Sequence, residues 1–158
     1  MTADPELVAG GPADLDAVMA VMNDSFDPRF GECWTFSQCA GLLPMPGVWL
    51  TLARVDGVVA GFALSRTVAD EAELLLLAVR NGEQRRGVGR HLLAAFMAAA
   101  RARGADRLHL EVRDDNPAIR LYEAAGFALA GRRRNYYSGA DGRTYDALTL
   151  ARIATSRG

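Results

Sequence analysis

The sequence predicts a mixed α/β (α+β) fold, with a central sheet of about seven strands flanked by about four helices, and three observations carry that expectation. The apolar run Leu74 to Val79 is too continuous for a half-exposed strand, which puts it in the middle of a sheet. A turn bearing Gly87 and Gly89 follows, and then the helical spacing Val88, Leu92, Leu93, Phe96, Ala100, so that a strand passes through a short turn into a helix. Leu108, Leu110 and Val112 next alternate with Arg107, His109, Glu111 and Arg113, a strand with one buried face and Glu111 on the other. At 158 residues, half of them apolar, the chain is expected to form one domain over 1–158 with a substantial core.

The remaining elements follow in order. Leu7 to Gly10 reads as a short first strand, and Pro12-Ala13-Asp14 opens a helix whose apolar face is Leu15, Val18, Met19 and Met22. Phe26 to Thr35 is rich in turn formers and aromatics and leads as a loop into a short helix around Phe36 to Leu43. In that loop Phe30 and Trp34 either roof the core or wall a binding site. Beyond Pro44-Met45-Pro46-Gly47, strands Val48 to Arg54 and Val58 to Thr67 form a hairpin about the turn Asp56-Gly57. The helix Val88 to Arg103 stops at Gly104. Asn116 followed by Pro117 marks the start of another helix, which carries Leu121, Tyr122 and Ala125 and closes at Gly126. Phe127 to Gly131 and Tyr145 to Ile153 read as the last strands, separated by a polar excursion through Arg132 to Tyr137 and the turn Ala140-Asp141-Gly142.

Composition narrows the function. A formal charge of −1 gives no global field to gather nucleic acid or an anionic membrane, so any positive patch is local. Arg85, Arg86 and Arg90 form one such patch; Arg132, Arg133 and Arg134 form another, either a solvated face or a ligand contact. Cys33 and Cys39 stand outside any paired motif, and with His91 and His109 they are too scattered to predict a metal site. No apolar run is long enough for a membrane span, and the polar, acidic start from Met1 to Leu7 leads us to expect a cytoplasmic location with reduced thiols.

The stretch Gln84-Arg85-Arg86-Gly87-Val88-Gly89 is the chemical centre of the chain. A helix that starts here presents unpartnered N–H groups and the positive end of its dipole to the turn, and an anion such as a pyrophosphate is the natural occupant. A triphosphate-binding loop would continue with lysine and a hydroxyl residue, but Arg90 and His91 follow Gly89; a dinucleotide fingerprint would need a third glycine where Leu92 stands. The pattern from Ala78 to Leu93 instead resembles the acetyl-coenzyme A loop of the GNAT acyltransferases.

The resemblance extends over most of the chain. Leu110-Glu111-Val112-Arg113, the spacing of Asn116 and Tyr122, Gly126-Phe127 and Gly131 to Tyr137 are similar to the RimI-type ribosomal-protein-alanine N-acetyltransferases within that family. It implies acetyl-CoA as cosubstrate, held by Leu77, Val79, Gln84, Arg85, Arg86, Gly87, Val88, Gly89, Arg90, Asn116 and Tyr122, with the backbone N–H of Val79 facing the thioester oxygen. It makes Glu111 the candidate general base and Tyr122 the candidate general acid, and it places the acceptor among Trp34, Asn135, Tyr136 and Tyr137. A carboxylate can relieve an attacking α-amine of its proton, because such an amine titrates near pH ~8. The plainer alternatives are a Glu111 salt-bridged to Arg107 or Arg113, a Tyr122 that fills the core, His109 as the base, and an Asn116 that only caps its helix.

Two departures from the RimI pattern lie on the acceptor side. Cys33-Trp34-Thr35 stands where a proline-tryptophan-serine block is usual, and Tyr145 precedes Asp146 where an acidic residue is common. The resemblance therefore implies direct acetyl transfer in a ternary complex, without a covalent acyl-enzyme, to the α-amine of a protein N-terminus. A lysine side chain or a small amine is the alternative acceptor, and a non-catalytic acyl-CoA sensor the alternative role. A monomer or weak homodimer that engages neither nucleic acid nor membrane is expected.

Overall fold

A computed structural model of the chain describes residues 4–27 and 33–153, with the side chains of 84–86 excepted. Among the described residues there are seven strands and four α-helices. In chain order they are β1 (Glu6–Gly10), α1 (Leu15–Ser25), α2 (Phe36–Leu42), β2 (Val48–Val55), β3 (Val58–Val68), β4 (Glu71–Val79), α3 (Val88–Ala102), β5 (Arg107–Arg113), α4 (Ile119–Ala124), β6 (Ala128–Ser138) and β7 (Thr144–Ile153). The strands form one mixed sheet in the order β1-β2-β3-β4-β5-β7-β6, in which β4 and β5 are the parallel pair.

Local chemistry accounts for most element ends. The 3₁₀ turn Pro12–Asp14 that precedes α1 is closed by the Gly11 N–H donating to Asp14 Oδ2 at 2.9 Å. At the head of α2, Thr35 and Gln38 form a reciprocal cap: the Gln38 N–H donates to Thr35 Oγ1 at 3.1 Å, and the Thr35 N–H donates to Gln38 Oε1 at 2.7 Å. Asp56 and Gly57 both have positive φ, 53° and 80°, the geometry of the tight hairpin turn between β2 and β3.

The sheet is covered on both faces. On one, Val88, Leu92, Leu93, Phe96 and Ala100 of α3 pack on Ala53, Ala63, Leu74, Leu108 and Leu110, and Tyr122 and Phe127 join the same cluster. On the other, Leu15, Val18, Val21 and Met22 of α1, with Cys39 of α2, cover Leu50, Leu52, Phe62, Leu64, Leu76 and Ala78. Val21, rather than Met19, completes the inward stripe of α1, while Met19 packs at its margin.

Three details differ from the sequence-based expectation. In β4, Leu64 of β3 registers with Leu76 but Ser65 with Leu74, so Leu75 is an extra residue, a β-bulge that reverses which face the strand presents. Ala72 and Leu74 accordingly join the core under α3, whereas Leu76 and Ala78 join the core under α1. The segment Arg132–Tyr137 is not an excursion between strands but the continuation of β6. It lacks alternation because β6 carries one extra residue opposite the step from Leu150 to Thr149 and two more between Arg133 and Tyr137, where Asn135 takes a positive φ of 53°. The α4 ladder begins at Ile119, after a turn in which Asn116 Oδ1 accepts the Ala118 N–H at 2.9 Å.

Candidate active site

The bulge at Leu75 creates the site. β4 and β5 pair only from Glu71 with Arg107 to Leu74 with Leu110; beyond that β4 stays with β3 and β5 with β7, and the two strands part toward their C-terminal ends. A cleft of about 510 Å³ fills the gap. Leu77 and Val79 line it from β4, Glu111 and Arg113 from β5, and Asn116 and Tyr122 from the segment that follows β5.

One end of the cleft meets the start of α3. Gly87 sits at φ 75°, ψ 14°, the left-handed conformation that costs glycine least, and it directs the chain from the 3₁₀ turn Asn81–Arg86 into the helix. Its carbonyl accepts the His91 N–H at 3.0 Å and lies 2.8 Å from His91 Nδ1, so that nitrogen is the donor. Among the described residues no side chain caps α3, which leaves the N–H groups of its first turn, with the helix dipole behind them, for a ligand. Gly89 lines the cleft, and a Cβ there would stand 3.5 Å from Leu121 and 3.7 Å from Val79, so the missing side chain keeps a narrow passage open. Val88 is fully buried, so its share in any ligand contact is its backbone. Arg90 is exposed beside the turn, and the side chains of Gln84, Arg85 and Arg86 lie outside the described residues. An uncapped helix start joined to a deep slot fits a pyrophosphate with a long thiol-bearing arm, which is the shape of coenzyme A.

Glu111, 18 % exposed, forms an ion pair with a guanidinium from two strands away: Arg133 Nε stands 2.9 Å from its Oε1. The other basic residues on that face of β5 point elsewhere, Arg107 toward Glu71 at 3.9 Å, His109 toward Glu73 at 3.8 Å, and Arg113 onto Asp115. Tyr122 is buried, edge-on to Phe127 at 6.2 Å, and still lines the cleft, so it is both a core residue and a wall of the site. Asn116 likewise lines the cleft while capping the turn into α4.

Among the expected acceptor residues, Trp34 and Tyr137 line the cleft. Tyr136, about half exposed, does not; it packs edge-on to Tyr137 at 5.1 Å and lies beneath Arg133 at 5.3 Å. Asn135 is also outside the lining, its N–H donating to Asp146 Oδ1 at 2.9 Å and its Oδ1 accepting from Thr144 Oγ1 at 2.8 Å. Phe30 lies outside the described residues. Burial pushes both thiols up, Cys33 and Cys39, with a further push on Cys39 from Cys33, so neither is an activated nucleophile. Among the described residues no group of three metal-ligating side chains comes together.

The family model for the acetyltransferase (GNAT) family matches residues 15–127, from α1 to just past α4, which takes in every cleft-lining residue named above except Tyr137. The chain belongs to the GNAT family. The [ribosomal protein bS18]-alanine N-acetyltransferase of Escherichia coli strain K12 is 46% identical over 97 residues, which cover 61% of this chain and 65% of that protein. The match thus spans less than two thirds of that relative's length. The N-alpha-acetyltransferase RimI of Mycobacterium tuberculosis strain H37Rv is 36% identical over 160 residues, covering 91% of this chain and 94% of its own. The crystal structure of the Escherichia coli ribosomal-protein-S18-alanine N-acetyltransferase superposes with a TM-score of 0.86 at 32% identity, covering 98% of this chain and 96% of that one.

The GNAT cleft also contains residues that sequence reasoning missed. Ser25, Phe26 and Asp27, just past α1, line it, as do Leu75 and Arg113. Arg113 was legible only as part of a matched block, because strand alternation puts it on the exposed side whereas it is 6 % exposed. Nothing in the run Leu74 to Leu77 marks which leucine is the bulge, since four identical side chains carry no register.

Proposed function

We propose that the chain is an acetyl-CoA-dependent N-acetyltransferase that acetylates the α-amine of a protein N-terminus by direct attack in a ternary complex. One observation carries the reading: where β4 and β5 part, Glu111 and Tyr122 line the same cleft into which Gly89, at the uncapped start of α3, also opens. The names of the relatives at 46% and 36% identity support an α-amine acceptor and suggest a ribosomal protein as its bearer. No described helix is long and apolar enough to cross a membrane, and a ribosomal substrate fits a cytoplasmic location.

Acetyl-CoA supplies an acetyl group activated as a thioester. The backbone N–H groups of Val88, Gly89 and Arg90 hold its pyrophosphate, and Leu77 and Val79 flank the arm along β4. Glu111 takes the proton that the acceptor nitrogen sheds as its bond to the acetyl carbon forms. The N–H of Val79 donates to the carbonyl oxygen as negative charge gathers there. The carbon–sulfur bond then breaks, and the Tyr122 phenol protonates the departing sulfur. Trp34 and Tyr137 wall the acceptor, and Tyr136 backs Tyr137 from outside.

The test is coenzyme A thiol release with peptide mass as the product assay, on peptides that differ only in a free or blocked N-terminus. Acetylation confined to the free N-terminus is the expected result, and acetylation of the blocked peptide at lysine would overturn the acceptor assignment. In the same assay Glu111→Gln lowers kcat by about 10²-fold or more with the Kd for acetyl-CoA within about twofold of the parent. Unchanged kcat in that variant would remove Glu111 from the mechanism.

A further inference from the structure

Arg133 and Glu111 belong to strands that do not touch. β7 lies between β5 and β6, with Glu111 opposite Thr149 and Arg133 opposite Ala147 two residues along, so the pair lies on a diagonal of two strand spacings and two residues of rise, roughly 12 Å of backbone. Thr149 and Ala147 are small, and Gly131 stands beside them, so two long side chains can meet at 2.9 Å above them. The bulge that follows Arg133 turns the chain so that Tyr136 comes beneath its guanidinium at 5.3 Å and against Tyr137 at 5.1 Å. One residue outside the cleft is thereby tied to two inside it. Its neighbours are committed elsewhere: Arg132 to Asp146 and Asp114, Arg113 to Asp115, and His109 toward Glu73. Asp27 lines the cleft from the far side, beyond α1.

We propose that Arg133 is a specificity-determining residue that makes the site favour an acceptor amine arriving neutral over one arriving as a cation, because its guanidinium already occupies the Glu111 carboxylate. This rests on the proposed transfer with Glu111 as base. An ammonium group needs an unbalanced negative charge to bind in a half-enclosed cleft, and a carboxylate paired with arginine offers none; a second cation there meets the first. A neutral amine has no such requirement. At pH 7.5 about a third of a peptide α-amine is neutral, against about 0.1% of a lysine side chain, a ratio of a few hundred. A site closed to cations inherits that ratio, whereas a site with a free carboxylate recovers part of it for lysine by binding the ammonium first and removing the proton afterwards.

The experiment compares kcat/KM for two peptides of one sequence, one with a free N-terminal alanine and no lysine, the other with a blocked N-terminus and a single lysine. Parent, Arg133→Gln, Arg133→Lys and Glu111→Gln are measured, with product identified on the peptide mass. None of the chain's 18 basic residues is a lysine, so parent, R133Q and E111Q add no lysine acceptor of their own. R133Q is expected to shift the lysine-to-α-amine ratio of kcat/KM upward about fivefold to tenfold, mainly through a lower KM for the lysine peptide, with R133K restoring parental selectivity. A merely structural arginine would lower both peptides together. An unchanged ratio, or an equal fall for both, overturns the proposal while E111Q stays inactive; an active E111Q overturns the base assignment itself.

Discussion

Asp146 is the residue on which the β6 irregularity closes. Its carboxyl accepts the Asn135 N–H at 2.9 Å and the Arg132 guanidinium at 2.8 Å, and these two contacts, the backbone one first, hold it below the usual carboxylate range. A carboxyl whose folded pKa lies below its unfolded one stabilises the fold above the unfolded value, 3.8, and loses that contribution as pH falls through the folded pKa. Asp146→Asn is therefore expected to unfold at a lower temperature than the parent at pH 7, with the gap narrowing as the pH drops below about 3.8. Thermal melts at pH 7, 4 and 2.5 check this; a gap that keeps its full size in acid would assign the loss to shape rather than charge. At this scale the sequence was uneven evidence. Glu111, Tyr122 and Asn116 could be singled out because the resemblance carries the family's motif onto them, while strand alternation and a helix start placed Glu111 and Asn116 on their elements. Arg133 could not be attached to Glu111, because the contact crosses an intervening strand and depends on extra residues that leave no mark in composition. Asn135 stood in the same matched block as Tyr137, yet its positive φ commits its backbone to Asp146.

A two-point contact from Asn81 to Asp24 ties together two of the elements that make the cleft. Asp24, at the end of α1, accepts the Asn81 N–H on Oδ2 at 2.8 Å, and its carbonyl accepts Asn81 Nδ2 at 2.8 Å. Asn81 opens the 3₁₀ turn that leads to Gly87, and Asp24 directly precedes Ser25, Phe26 and Asp27, which line the cleft past α1. One pair thus registers the turn into α3 against the cleft wall past α1. Asp24→Ala removes the side-chain half, a hydrogen bond of about 0.5–1.5 kcal/mol, and is expected to raise both KM values about twofold to tenfold while kcat holds. Asp24→Asn keeps an oxygen acceptor and should recover most of the loss. Parental KM values in D24A would show that the two walls are set independently. Helices and strands with clear periodicity or caps were legible at this scale, α3 and β5 above all. β6 was not, since it is an edge strand, mostly exposed, whose three extra residues erase the alternation on which a strand reading depends.

Across the whole molecule the cleft is a by-product of how the sheet is divided between two cores. The bulge at Leu75 hands the second half of β4 from the core under α3 to the core under α1, and the strand cannot follow both; β5 stays with β7, and the gap opens where the allegiance changes. Among the described residues no side chain caps the start of α3, which sits beside that gap, so a donor bound there should satisfy N–H groups of the first turn and stabilise the folded chain. A ligand at about 100 times its Kd adds about 2.7 kcal/mol, which for a chain of this size is a rise in Tm of roughly 5–10 °C. Coenzyme A is the probe, because it carries the pyrophosphate and the arm without the reacting acetyl group. Gly87→Ala separates the cradle from the rest. It forces a side chain into the left-handed conformation at about 1–2 kcal/mol, so its ligand-free Tm should fall by several degrees, and the tilt of the first α3 turn should weaken the anion site. Melts with and without coenzyme A are expected to show a clear rise for the parent and a smaller one for G87A at the same ligand concentration. Equal rises in the two proteins would mean that the pyrophosphate does not use the α3 start, and the donor would then have to be held by the β4 wall alone.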